Sequence, residues 1–296
     1  MSAIVAQSLG KRYGRRWALR NCTVEIPEGS VVGLVGANGA GKSTLLHLTV
    51  GLLEPTEGAL AVLGGRPGAD AAQLAKVGFV AQDAPVYGWL SVADHLRLGA
   101  HMNPGWDTTT ATERISRLGL DLTQRAGKLS GGQRSQLALT LAIGKRPELL
   151  VLDEPVASLD PLARRTFLAD VMELMADRQP TIVLSSHLLS DIERVCDHLI
   201  VMAEGRVQLA GSVDELLHEH KVLTGPRRDL RSMPHDQVVV RASHTERQTT
   251  VLVRTAGPIL DPAWVVADIG LEDLVLAYMA RTAASPQPAP LAAVHG

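Results

Sequence analysis

The chain is 296 residues long, 46% hydrophobic and 20% charged, which suits a globular protein of about two domains with a sizeable core. Its 29 Lys and Arg against 31 Asp and Glu leave a formal charge of -2, which excludes a strongly basic nucleic-acid binder and a highly charged disordered chain. Its two cysteines, Cys22 and Cys196, are too few for a disulfide-dense scaffold or a four-cysteine zinc site.

No apolar run approaches the roughly 18 residues of a membrane helix, and residues 1–11 lack a charged segment ahead of an apolar one. The expectation is a soluble intracellular chain with reduced thiols. No internal repeat is visible. Residues 31–36, 76–80, 149–153 and 181–185 read as short strands, apolar almost throughout and so buried on both faces. Helical patterns follow at 42–50, at 162–176 with Pro161 near its start, and at 188–196. This alternation argues for an α/β fold with a largely parallel central sheet. Residues 83–149 break the rhythm with three helical patterns, 91–102, 110–118 and 133–144, and read as an inserted helical subdomain. Residues 198–211 form an expected hairpin turning at Glu204-Gly205, and 213–219 a short helix. Thr224-Gly225-Pro226-Arg227-Arg228 reads as a linker. Beyond it, 238–241 and 251–254 are strand-like and 271–280 helix-like, which suggests a small appended α/β domain at 222–282. Residues 283–296, containing Ser285-Pro286-Gln287-Pro288-Ala289-Pro290, read as a disordered tail.

Three motifs carry chemistry. Gly36-Ala37-Asn38-Gly39-Ala40-Gly41-Lys42-Ser43 sits between an expected strand and an expected helix. Its glycines let backbone N–H groups turn inward around phosphates, and the helix N-terminus adds positive potential. Lys42 can reach β- and γ-phosphates, and Ser43 can ligate Mg²⁺. The apolar run 149–152 ends in Asp153-Glu154. Asp153 is placed to hold Mg²⁺ directly or through water, and Glu154 to accept a proton from an attacking water. In Leu129-Ser130-Gly131-Gly132-Gln133, Ser130 and Gln133 form a possible capping box. A cap does not explain two glycines in the first turn, each costing about 1 kcal/mol against alanine. Bare N–H groups at a helix start suit an anion.

The order of these motifs, with Gln82, Ser158-Leu159-Asp160 and His187 between and after them, resembles the ATP-binding subunits of the ABC transporter family over residues 1 to about 220. The resemblance implies a P-loop NTPase core with a parallel-rich sheet and the inserted helical subdomain at about 83–149. It implies that Gln82 reaches toward Mg²⁺ and the attacking water, that His187 contacts the γ-phosphate, and that Ser158-Leu159-Asp160 crosses a dimer interface. Tyr13 resembles the aromatic that stacks on adenine, with Trp17 a nearby rival. Each ATP is expected between Gly36, Asn38, Gly39, Gly41, Lys42, Ser43, Thr44 and Asp153 of one subunit and Ser130, Gly131, Gly132, Gln133 and Asp160 of the other. The partner is a second copy or a paralogous cassette. Val156 stands where the family commonly has a small polar residue, at a position that is not catalytic.

The resemblance also implies a membrane-spanning transporter subunit as partner, with this chain peripheral on the inner face of the cell membrane. Three of the nine aromatic residues, Tyr87, Trp89 and Trp106, fall within residues 83–106. Either they line an exposed groove for that partner, or they form a small core of the helical insert. Export is the expected direction, because the appended domain near 222–282, ending in residues 271–278, resembles C-terminal extensions of bacterial drug-exporter-type subunits; an importer is the nearest alternative. A soluble ABC ATPase acting on ribosomes or nucleic acid is the rival of a different class. It fits less well, with one cassette, no long coiled coil and near-neutral charge. A simple P-loop kinase would have no use for Ser130–Gln133.

Overall fold

The computed structural model describes residues 1–157, 159–230 and 233–280. The sequence reading assigned no strands to the first thirty residues, but β1 (Ser2–Tyr13) and β2 (Arg16–Pro27) form a long antiparallel pair there. Leu19, Cys22, Val24 and Ile26 are buried while Thr23 and Glu25 face out, the alternation of a sheet with one covered face. Bulges interrupt that alternation: the register shifts between Ala6 and Leu9, and Ser8 and Asn21 take φ of 47° and 50°. After β3 (Val31–Gly36) and α1 (Lys42–Thr49), β4 (Glu57–Val62) completes this sheet in the order β2-β1-β4. Asp70 caps α2 (Ala71–Lys76), which runs into β5 (Val77–Val80), so Lys76 ends a helix instead of opening a strand.

The helical insert follows as α3 (Val92–Met102), α4 (Thr108–Arg117) and α5 (Gly131–Gly144). Each helix start has a side-chain cap: Ser91 and Ser130 make capping boxes with Asp94 and Gln133, and Asp107 accepts from the Thr110 N–H. Trp106 packs against Gly99 and Gly144, where added Cβ atoms would lie 2.5 and 2.8 Å from its ring. It therefore belongs to the insert's packing, as the second of the two readings had it.

β6 (Leu149–Leu152), α6 (Pro161–Arg178), β7 (Thr181–Ser185), α7 (Leu189–Val195), β8 (His198–Ala203) and β9 (Arg206–Ser212) then complete the α/β core. The sheet order is β5-β6-β7-β3-β8-β9, parallel except for β9. Both faces are buried. Leu150, Leu152 and Leu184 pack with Phe167 of α6, while Leu149, Val151 and Val183 pack with α1 and the three-stranded sheet. The insert is tied to α6 by a buried ion pair, Arg114–Asp170 at 2.7 Å, and by Arg117–Glu173 at 2.5 Å and Arg178–Asp107 at 2.6 Å.

The C-terminal part departs from expectation twice. After α8 (Val213–Glu219), residues 224–226 belong to β10 (His220–Pro226) and are not a linker. β10 pairs with β12 (Gln248–Thr255), which also pairs with β11 (Gln237–His244), and on its other side with β13 (Val265–Asp268). Gly225 is needed inside this strand because Trp264 crosses it: a Cβ there would lie 2.8 Å from the indole. Second, α9 (Leu271–Met279) does not belong to a separate appendage. Leu271, Leu274, Val275 and Tyr278 are buried in the same core as Phe167, Leu184 and Leu199. Tyr278 Oη lies 2.8 Å from His220 Nε2, and His220 Nδ1 lies 2.6 Å from the Leu216 carbonyl. Burial holds the His220 pKa below its ordinary value, so the neutral ring donates from Nδ1 and accepts from the tyrosine. The expected tail at 283–296 lies outside the described residues, among which no helix is long and apolar enough to cross a membrane.

If α9 is part of the common core, Leu274→Ala should destabilise the whole α/β body by about 2–5 kcal/mol. Amide exchange should then rise in β8 as well as in β12. Faster exchange confined to β10–β13 would contradict the shared core.

Candidate functional site

Open α/β sheets present their sites beyond the carboxyl ends of the strands. Here four parallel strands deliver residues to one such edge. β3 leads into the glycine loop, β5 to Gln82, β6 to Asp153 and Glu154, and β7 to Ser185 and His187. The loop can take its path because Gly39 and Gly41 adopt φ of 81° and 103°. A cavity of about 800 Å³ opens over it, lined by Tyr13, Asn38, Gly39, Gly41, Lys42, Ser43, Thr44, Gln82, Glu154 and His187, with Trp17 also on its wall.

Lys42 opens α1 and is only 5% exposed. Its ammonium donates to the Gly36 carbonyl at 2.8 Å and lies 3.4 Å from Glu154 Oε1. The other carboxylate oxygen of Glu154 lies 3.2 Å from His187 Nδ1. Glu154 itself has φ of 44°. Asp153 is buried beneath the cavity and accepts from Ser185 Oγ at 2.7 Å. Ser185 escaped the sequence reading, which treated it only as a strand end. Its signal was a hydroxyl closing an apolar strand beside the strand that carries two acids.

Of the two candidate base-stacking rings, Tyr13 is half exposed with Lys11 5.5 Å from its centroid. Trp17 is partly buried and already carries two guanidiniums, Arg12 and Arg20, at 5.4 and 5.5 Å. Tyr13 is the freer face.

Ser130, Gly131, Gly132, Gln133 and Asp160 are not brought to this cavity. They line a second cleft of about 530 Å³ together with Leu162, which is 75% exposed. Gln133 Oε1 accepts the Ser130 N–H at 2.9 Å, and Ser130 Oγ accepts the Gln133 N–H at 3.2 Å. The capping box is thus formed, and it uses Ser130 only as an acceptor and backbone donor, leaving its hydroxyl hydrogen to give. Asp160 Oδ1 caps α6 by accepting from Leu162 and Ala163 N–H groups, both at 2.9 Å. Ser158 lies outside the described residues. Val156 is buried in the core.

Near the insert, Tyr87 and Trp89 are 57% and 70% exposed, with ring centroids 6.0 Å apart. A groove of about 560 Å³ opens between insert and core, walled by Leu52, Leu74, Phe79, Pro85, Val86 and Leu141; Tyr87 and Trp89, expected to line such a groove, are not on its wall.

The donor set suits a hard cation shared with a phosphate ligand. Among the described residues no three His, Cys, Asp or Glu side chains converge as a metal cage. The Ser43 hydroxyl, Gln82 amide and Asp153 carboxylate are oxygen donors of the kind Mg²⁺ takes when substrate phosphates complete its shell.

A family model for the ABC transporter matches residues 19–157. The thiamine import ATP-binding protein ThiQ of Salmonella typhimurium is 35% identical over 203 residues, covering 66% of this chain and 85% of that protein. The lantibiotic transport ATP-binding protein SrtF of Streptococcus pyogenes is 33% identical over 229 residues, covering 75% of this chain and 98% of that one. A solved ATP-binding subunit of an ABC transporter superposes with a TM-score of 0.66 at 28% identity, over 73% of this chain and 92% of that structure.

The glycine loop's geometry is testable directly. A Cβ at Gly41 would lie 2.6 Å from Leu19 Cδ2 and 2.8 Å from the Ala18 carbonyl, in backbone that L residues seldom adopt. Gly41→Ala is expected to cost about 1–3 kcal/mol in chemical denaturation. Native stability in that variant would mean the loop is more plastic than its packing indicates.

Proposed function

The chain belongs to the ATP-binding subunits of ABC transporters and is an ATPase, and from that premise we propose that two copies close around two ATP molecules and drive a separate membrane-spanning subunit, in the direction of export. The observation that carries the dimer is the separation of the half-sites. Lys42 and its loop line one cleft, and Ser130, Gly131, Gly132 and Gln133 another. Their lying in different clefts supports a two-fold pair, each copy presenting its α5 start to the other's loop and so completing two sites at once. A paralogous cassette would serve equally as the second half.

In this reading Tyr13 stacks on adenine, and Gly36, Asn38, Gly39, Gly41 and Lys42 cradle the phosphates. Ser43, Gln82 and Asp153 hold Mg²⁺, with Thr44 beside them on the nucleotide. Bound Mg²⁺ would offset charge on the phosphate oxygens. Glu154 takes the proton of the water that displaces ADP from the γ-phosphoryl group, and His187 steadies the γ-phosphate. Ser130, Gly131, Gly132, Gln133 and Asp160 contribute from the other copy. Lys42 and His187 already flank the Glu154 carboxylate, which supports a shared task at one reacting centre. Loss of the γ-phosphate removes the bridge between copies and lets them part, so the chemistry biases a two-state assembly.

A separate membrane-spanning partner is part of this reading; among the described residues no helix is long and apolar enough to cross a bilayer. The exposed pair Tyr87 and Trp89 supports a docking place for one on the inner membrane face. Export rests on the C-terminal extension.

Glu154→Gln should retain ATP binding, lower turnover by at least about 100-fold, and elute as an ATP-dependent dimer in light scattering. Native turnover would sink the base assignment, and a monomer with ATP would sink the sandwich. For the transport arm, tagged protein captured from native membranes in mild detergent should bring a polytopic membrane protein in near-stoichiometric amount. Recovery of ribosomal proteins instead would favour the soluble mechanoenzyme.

A further inference from the structure

Ser185 ends β7 and has no solvent exposure. β6 and β7 run in parallel with Leu152 beside Leu184, so the next residue of each strand, Asp153 and Ser185, come to lie together at the sheet's carboxyl edge. The hydroxyl makes two hydrogen bonds, one as donor and one as acceptor. It donates to Asp153 Oδ1 at 2.7 Å and accepts the Glu154 N–H at 2.7 Å. A serine hydroxyl has one hydrogen to give, and here it goes to one acid while its lone pair takes the backbone of the next.

Both recipients need such support. Asp153 is a carboxylate without solvent, which must find donors within the protein. Glu154 sits at a positive φ that costs a non-glycine residue on the order of 1 kcal/mol or more unless its surroundings enforce it. The Asp153 N–H is held by the Val80 carbonyl, and the Glu154 carbonyl accepts from Ala157. Ser185 supplies the remaining tie, and it comes from a different strand. Its neighbour Ser186 does something else: Ser186 Oγ accepts the Leu188 N–H at 3.0 Å and so shapes the turn that carries His187.

We propose that Ser185 is a positioning residue for ATP hydrolysis, whose hydroxyl orients the Asp153 carboxylate toward the metal and pins the Glu154 backbone, so that metal holder and base are set as one unit. This rests on the roles given above to Asp153 and Glu154. It assigns Ser185 no contact with nucleotide or metal, so its removal should act through metal affinity and turnover and spare nucleotide affinity.

The test compares Ser185→Ala and Ser185→Cys with the native protein and with Asp153→Asn. Four quantities are measured: thermal midpoint, ADP affinity without metal, Mn²⁺ affinity with ADP by electron paramagnetic resonance, and steady-state kcat and KM for ATP. Removing an outer partner of a metal-holding carboxylate typically costs roughly 10–100-fold in metal affinity or rate. Ser185→Ala is therefore expected to weaken Mn²⁺ binding and kcat by about that factor, with metal-free ADP affinity and KM within about threefold of native. Ser185→Cys, which keeps a weak donor and acceptor, should fall between. Native Mn²⁺ affinity and kcat in a folded Ser185→Ala would overturn the proposal, as would a loss that merely follows the folded fraction in both variants. If Asp153→Asn also binds Mn²⁺ like the native protein, the metal reading itself fails; if Asp153→Asn fails to bind while Ser185→Ala is native, only the role of Ser185 falls.

Discussion

Charge without water is the constraint on which the site depends. Lys42 and Asp153 are almost completely buried and Glu154 is nearly so, at the carboxyl edge of a sheet whose two faces are apolar. An isolated ion in such a place costs several kcal/mol, so each must be satisfied by geometry the fold already supplies. Lys42 turns back to the Gly36 carbonyl and to Glu154, Glu154 reaches His187, and Asp153 takes the Ser185 hydroxyl. The ammonium is thus held in place by internal acceptors, a backbone carbonyl and a carboxylate, before any phosphate arrives. A loop evolved only for stability would have no reason to bury a lysine there.

The parallel sheet makes this arrangement possible because its register is specified on both faces. Leu149 and Val151 face one core while Leu150 and Leu152 face the other. A slip of one residue would keep the strand buried yet move Asp153 away from Ser185. Specificity in such a strand comes from the polar residues at its end as much as from its apolar body. The same logic explains why the four core strands were readable from the sequence: unbroken apolar runs closing on Gly36, Gln82, Asp153 or Ser185 have few other interpretations. The phosphate loop, the paired acids and the capped glycines at Ser130 were equally plain, since each requires particular residue types at fixed spacing.

Elsewhere, position in space overrode local pattern. β1 and β2 are half-exposed and bulged at Ser8 and Asn21, which breaks the period that marks a strand. β10 contains Gly225-Pro226, a turn signal by composition, but the glycine is there because Trp264 crosses the strand. α9 was legible as a helix, yet nothing in its own residues says that Tyr278 meets His220 across the core. That contact lies 58 positions apart in the chain and arises only from packing. Ser185 was legible as a strand end, but its bonds to Asp153 and Glu154 were not, because those partners follow the neighbouring strand.

The insert's attachment bears on how the two half-sites cooperate. Arg114 of α4 is buried and bonds Gln136 and Thr140 of α5 as well as Asp170 of α6. A single guanidinium therefore clamps α5 and α6 together, and their N-terminal caps, Ser130 and Asp160, line one cleft. Removing either side of that clamp would leave a buried charge unpaired, a penalty of about 3–5 kcal/mol, so the two helices are expected to move as one piece. In the proposed dimer, the surface offered to a second copy is then a rigid face carrying Ser130, Asp160 and the exposed Leu162, not a set of independent loops. Closure around ATP becomes a question of how this face and the Lys42 cleft of the other copy approach. Gln82 lines the nucleotide cavity and lies on the chain between β5 and the insert, so in the proposed assembly it is placed to couple the two.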